Sequence, residues 1–221
     1  MVDAPGQLPG PPSDLSSRQL VIQEFQGSLY RTHPINLSPV FFGRRCIHRF
    51  DAPDQSFGVL YAGADAFCAF VETFGKAAGT SIVTTTALEE RSLSELRPTR
   101  PLRLIDLTEP GSLVRIGADA RLFAGDHDIA RLWAKALHSH PISADGLIYP
   151  SRLDPPRKAV ALFEDRAPKL TEWERQSWYA PGAQRHLLAK IMEHYRFELI
   201  ETRYVAHRKP AVSVQPGLFE E

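Results

Sequence analysis

Gly146-Leu147-Ile148-Tyr149-Pro150-Ser151-Arg152-Leu153-Asp154-Pro155-Pro156-Arg157-Lys158-Ala159-Val160-Ala161-Leu162-Phe163 is the stretch that decides the fold class. Its two apolar runs, 146–149 and 159–163, have strand length, and Pro155-Pro156 sets a turn between them with no room for a helix. Upstream, Leu102-Arg103-Leu104-Ile105-Asp106-Leu107 alternates apolar and polar residues, as a half-buried strand does. Further strands read at Ser28-Leu29-Tyr30-Arg31, ended by His33-Pro34, at 57–62, closed by Gly63, and at the β-branched 81–86. Asp65 can cap a helix from residue 66 to about 76, and Asp126 or Asp128 one running through Trp133 to His138. A helix at 184–195 and a strand at 197–205 complete the interior. Strands outnumber helices and do not alternate regularly with them, which predicts an α+β domain and not a doubly wound α/β one.

The surrounding composition limits the function classes. The 221 residues carry 26 Lys+Arg against 26 Asp+Glu, so no basic excess marks a nucleic-acid or anionic-membrane binder. Twenty of the 26 basic residues are Arg, the residue suited to bidentate anion recognition, although GC-rich coding also produces that bias. Cys46 and Cys68 cannot make a disulfide framework or a four-ligand zinc site. No basic-then-apolar leader opens the chain, and no apolar run reaches the ~20 residues that span a bilayer. A cytoplasmic protein is expected. Residues 1–19, with four prolines and two glycines, read as a flexible arm, 20–206 as the catalytic domain and 207–221 as a tail.

Four clusters could carry chemistry. Arg31 ends an early strand and is followed by Arg44, Arg45 and Arg49, a set that could cradle phosphates or simply face solvent. On a helical wheel Ala66, Phe67, Phe70, Val71 and Phe74 share one side and Glu72 falls opposite. A Glu so placed is ordinarily a solvated carboxylate, and a functional one requires that face to look into a cleft, which periodicity does not decide. Tyr149, Ser151 and Arg152 lie at a strand terminus, where ligand sites are common and where a Ser is also a ready turn former. Asp126-His127-Asp128 with His138 and His140 invites a metal, but the aspartates make sense as helix caps and the two histidines cannot share a helical face. No metal site is expected.

Taken in order, Tyr30-Arg31-Thr32, His48-Arg49-Phe50-Asp51, Val59-Leu60-Tyr61-Ala62 with Glu72 eleven residues after that Tyr, and Asp145-Gly146-Leu147-Ile148-Tyr149-Pro150-Ser151 resemble the RES-domain family over roughly residues 28 to 165. The resemblance implies a compact core like that of ADP-ribosyltransferases, with a central, mainly antiparallel split sheet flanked by helices. It implies an NAD-consuming enzyme that cleaves the nicotinamide–ribose bond as a glycohydrolase or phosphorylase. Such proteins are typically toxins of bacterial toxin–antitoxin pairs. Alternatives are a mono-ADP-ribosyltransferase acting on a protein and a degenerate member serving as a binding module.

By position, Arg31, Tyr61, Glu72 and Ser151 would form the catalytic set. Arg49, Tyr149 and Arg152 would help bind NAD, which enters as substrate, with phosphate as a candidate co-substrate and no prosthetic group. Ser151 would either bond the substrate carboxamide or orient Glu72. A helix-turn-helix antitoxin and a homodimer are the implied partners, with no direct nucleic-acid or membrane contact. The sequence departs from the family pattern at His48, where a Gly is usual, and at Asp51, where an Asn is usual. Asp51 would set an extra carboxylate beside a phosphate site.

Overall fold

The apolar run 158–163 forms a strand buried along almost all its length, and the sheet is assembled around it. The computed structural model describes residues 8–75 and 81–202. Expectations for 1–7, for the helix end at 76 and for the chain beyond 202 fall outside them. In chain order the strands are β1 (Ile22–Phe25), β2 (Leu29–Pro34), β3 (Val59–Gly63), β4 (Ile82–Thr84), β5 (Arg91–Pro98), β6 (Leu102–Asp106), β7 (Gly146–Pro150), β8 (Lys158–Phe163), β9 (Leu170–Ser177) and β10 (Glu198–Ile200). The helices are α1 (Ala66–Phe74), α2 (Thr85–Glu89), α3 (Ser112–Ile116), α4 (Arg121–Ala124), α5 (His127–His138) and α6 (Ala183–Tyr195).

Eight strands make one sheet in the order β1-β6-β7-β8-β3-β2-β5-β9, antiparallel throughout except between β6 and β7. The class is α+β, as the sequence predicts. β7 and β8 pair antiparallel across the Pro155-Pro156 turn, with Gly146 opposite Leu162 and Pro150 opposite Lys158. β2 and β3 share a single paired position, Tyr30 with Gly63. The sheet is therefore split at its middle, and strands that have lost their ladder leave space for a ligand.

Alternating side chains of β8 serve both faces. Ala161 and Phe163 pack with Leu147, Trp133 of α5 and Phe50, while Val160 and Leu162 pack with Leu60, Leu104 and Ile148. A third cluster joins Phe70 of α1 to Trp178, Leu88 and Ile191. Burying a side chain of the size of Phe70 stabilises by about 2–3 kcal/mol. α1 is therefore held by its apolar side, and Glu72 is directed elsewhere. Asp65 caps it through the Cys68 amide at 2.8 Å.

Several elements differ from expectation. The strand read at 81–86 stops at Thr84, because the Thr84 hydroxyl accepts from the Ala87 amide and starts α2. β10 covers only Glu198–Ile200 and pairs parallel with β4 in a separate two-stranded sheet. β6 is buried at four of its five positions and so is not half-exposed. Residues 8–19, read as part of a flexible arm, are docked: Leu8 and Leu15 are buried in the α5 cluster, and the Trp133 indole donates to the Pro9 carbonyl at 2.9 Å. Prolines had masked two anchoring leucines. No helix among the described residues is long and apolar enough to cross a membrane.

Candidate active site

A cavity of about 430 Å³ opens where β2 and β3 part, its walls including Arg31 and Thr32 from β2, Tyr61 from β3 and Glu72 from α1. Tyr149 at the end of β7 and Arg49, Arg152 and Phe123 close it. Three guanidinium groups thus meet one carboxylate.

Glu72 and Ser151 meet across the chain: the Ser151 hydroxyl donates to Glu72 Oε1 at 2.5 Å. Ser151 Oγ in turn accepts from the Leu153 and Asp154 amides, both at 3.2 Å. A hydroxyl has one donor and two acceptor positions, and all are filled. Buried and committed in this way, Ser151 has nothing left for a ligand. Of its two expected uses, the hydrogen bond to Glu72 matches the second.

Arg31 Nη1 donates to the Pro39 and Phe41 carbonyls at 2.8 and 2.9 Å. Burial lowers its pKa to about 10, so it remains a cation at neutral pH. Arg49 Nη1 takes the Leu122 and Gly125 carbonyls at 3.3 and 2.9 Å. Its pKa is lowered first by burial and next by Arg152. Arg152 is exposed and has no partner among the described residues.

The Tyr61 hydroxyl donates to Asp51 Oδ1 and accepts from the Phe50 amide, each at 2.9 Å, so only its ring faces the cavity. Burial and then the Asp51 charge hold its pKa well above the ordinary value. Tyr149 is raised as well, by burial and then by Glu72, and its hydroxyl has no partner among the described residues. That hydroxyl is a donor available to a ligand.

The Asp51 carboxylate does not line the cavity. It is 1% exposed and turned into the protein, where Oδ2 accepts from the Ile47 and His48 amides at 2.9 Å. The departure from the family pattern braces the loop that carries Arg49. His48, the other departure, lines the cavity with its ring edge-on to Tyr61 at 5.2 Å.

The structure excludes two expected arginines. Arg44 pairs with Glu164 at 2.6 Å and bonds the Gln55 and Ser56 carbonyls, and neither it nor exposed Arg45 lines the cavity. The Asp/His cluster is also dispersed. Asp126 caps α5, His138 stacks on Phe57 at 3.9 Å and bonds Asp165, and His140 bonds the Arg18 carbonyl. Among the described residues no three His, Cys, Asp or Glu side chains are grouped to hold a metal. His127 lines the cavity from the first turn of α5 with its pKa lowered by burial and then by Arg49, and Phe123 comes from four-residue α4. The sequence reading assigned neither a ligand wall. A helix that short has no periodicity to reveal it.

A model of the RES domain matches residues 28–190. The chain is 39% identical over 84 residues to "Probable toxin y4kH" of Sinorhizobium fredii (strain NBRC 101917 / NGR234), an alignment covering 38% of this chain. It spans 65% of that relative's length. The fold resembles a chain in the crystal structure of the M. tuberculosis MbcT–MbcA toxin–antitoxin complex, with a TM-score of 0.61. The identity there is 19%, over 80% of this chain and 98% of that one.

Proposed function

The chain belongs to the RES-domain family, and from that premise we propose that its cleft binds NAD⁺ and breaks the bond between nicotinamide and ribose. The observation that carries the reading is the hydrogen bond from buried Ser151 to half-buried Glu72, set in a cavity with three arginines. Nicotinamide leaves as a neutral ring that takes the bonding electron pair onto its nitrogen, so no strong general acid is required. Positive charge builds on the ribose instead. A carboxylate about 4 Å from that charge contributes roughly 4 kcal/mol at an effective dielectric near 20, about a thousandfold in rate. Glu72 supplies it, with one oxygen fixed by Ser151 and the other left for the ribose. Arg31, Arg49 and Arg152 hold the pyrophosphate, and the faces of Tyr61 and Tyr149 border the leaving ring. Water as acceptor gives ADP-ribose and a proton. Inorganic phosphate gives ADP-ribose-1″-phosphate.

The test is nicotinamide release from NAD⁺ with and without phosphate. Wild type should release it, and Glu72→Gln should be slower by about a thousandfold. Equal rates for the two proteins would sink the proposal. The sugar product identifies the acceptor, and radiolabel fixed on protein would move the assignment to ADP-ribosyl transfer.

The same membership, with a relative called a probable toxin, supports a cytoplasmic toxin whose partner is an antitoxin. Expression alone should arrest growth, and co-expression of the neighbouring gene should restore it. Unimpaired growth with active enzyme would reject that role.

A further inference from the structure

A second cavity, of about 560 Å³, adjoins the first, and Phe123, Pro150 and Arg152 line both. Its chemistry differs. Leu107, Leu113 and Val114 make its lining largely apolar, and its charged groups other than Arg152 are Glu109 and Asp119. Asp119 is already paired with Arg121 at 2.6 Å, whereas the Glu109 carboxylate has no partner among the described residues.

We propose that this cavity is the adenosine subsite of the substrate, a deduction that rests on the NAD⁺ reading above. NAD⁺ is two nucleosides joined by a pyrophosphate, and the protein offers two chambers joined at an exposed guanidinium. The cationic nicotinamide riboside belongs with Glu72 in the first chamber. The reverse placement would carry the scissile bond away from that carboxylate. The adenine is flat, uncharged and largely apolar, and it fits the apolar chamber behind Phe123. Arg152 then lies where the two phosphates must pass. Glu109 is suited to accept from a ribose hydroxyl and to repel a phosphate on the 2′ position, which selects NAD⁺ over NADP⁺.

The experiment uses the full chain, adenosine monophosphate as the calorimetric probe, and nicotinamide release from NAD⁺, NADP⁺ and nicotinamide mononucleotide. Ala124 is exposed and lines the second cavity, so Ala124→Trp fills it without disturbing the core. Val114→Trp, at a position 78% exposed, is the replacement if that variant does not fold. Adenosine monophosphate should bind wild type and compete with NAD⁺. The filled variant should lose that binding and show a KM for NAD⁺ raised about tenfold, equivalent to one lost apolar anchor. The defect should fall on NAD⁺ and not on nicotinamide mononucleotide, which lacks the adenosine. NADP⁺ should have a KM roughly tenfold above that of NAD⁺, and Glu109→Gln should narrow the gap.

Equal adenosine monophosphate binding by wild type and filled variant, or no binding at all, overturns the subsite. An unmoved KM in both filled variants overturns it too, while leaving NAD⁺ cleavage standing. Equal KM values for the two dinucleotides overturn the role of Glu109. If wild type releases no nicotinamide, the enzymatic reading fails on its own. The calorimetry then decides whether an adenosine site exists.

Discussion

Replacing Ser151 with Ala tests whether this residue positions Glu72 or only closes a turn. The substitution removes a hydroxyl that donates to Glu72 at 2.5 Å and accepts two amides at 3.2 Å. A hydrogen bond to a charged group contributes about 1.5–3 kcal/mol, and an amide left without a partner costs about 1 kcal/mol more where water is excluded. The turn lies partly open to water, so the total should be about 3 kcal/mol. For a protein of this size that lowers Tm by roughly 6–12 °C. Release of the Glu72 carboxylate to other rotamers should cut kcat for nicotinamide release by about tenfold to a hundredfold. KM should change little, because Arg31 and Arg49 are held independently by backbone carbonyls. Thermal unfolding and steady-state kinetics on the same preparation separate the effects, and Ser151→Thr, which retains a hydroxyl, should recover part of both. A Tm loss with kcat within twofold of wild type would refute the positioning role and leave Ser151 as a turn former.

Asp51→Ala should cost about 3 kcal/mol and raise KM for NAD⁺, since it strips the acceptor from two loop amides and from the Tyr61 hydroxyl beside Arg49. Unchanged Tm and KM would show that the loop does not depend on this brace. Gly146→Ala should lower stability by about 3 kcal/mol, because a Cβ there would lie 2.1 Å from the Ala161 carbonyl oxygen and 2.9 Å from the Leu162 Cα, neither of which can yield cheaply. A Tm near wild type would refute that reading. Burial lowers the pKa of His33, which is 2% exposed, so the folded state binds fewer protons there than the unfolded chain. The associated stability is present above pH ~6.5 and is lost as pH falls below it. Tm should decline from pH 7 toward pH 5, and His33→Gln should flatten the slope. An identical slope in the variant would assign the decline to other groups.

The site residues that were legible sit at local signals: Arg31 in an early strand, which runs on through Pro34 and does not stop at Arg31, Asp65 capping the helix of Glu72, and Ser151 just past an apolar strand. What the sequence hid follows from polarity in unexpected places. β5 keeps Ser92 and Ser94 in the core, so its strand alternation reads as a polar segment. β9 is a sheet edge whose middle residues are exposed, and its Thr171-Glu172-Trp173-Glu174-Arg175 shows no buried period. β1 is four residues at the other edge. The lost ladder between β2 and β3 depends on pairing between distant segments, which no window of sequence contains.

The same distinction explains how a chain of zero net charge assembles a cationic cleft. Half of the arginines among the described residues are matched by a carboxylate, as Arg100 is by Asp145, Arg157 by Asp65 and Asp154, and Arg175 by Glu172. Such pairs cancel in the local field as well as in the sum. The cleft arginines are held otherwise. Arg31 and Arg49 are anchored on neutral carbonyls, and Arg152 has no anchor among the described residues. A carbonyl orients a guanidinium without neutralising it, so the full charge remains for an incoming anion. Burial costs Arg31 part of its basicity, yet a pKa of about 10 still keeps it charged at neutral pH. Three such charges against Glu72 leave an excess of two, which matches the two negative charges of a pyrophosphate. Arginine count therefore says little about ligand binding in this chain, and the identity of each arginine's hydrogen-bond acceptor says much more.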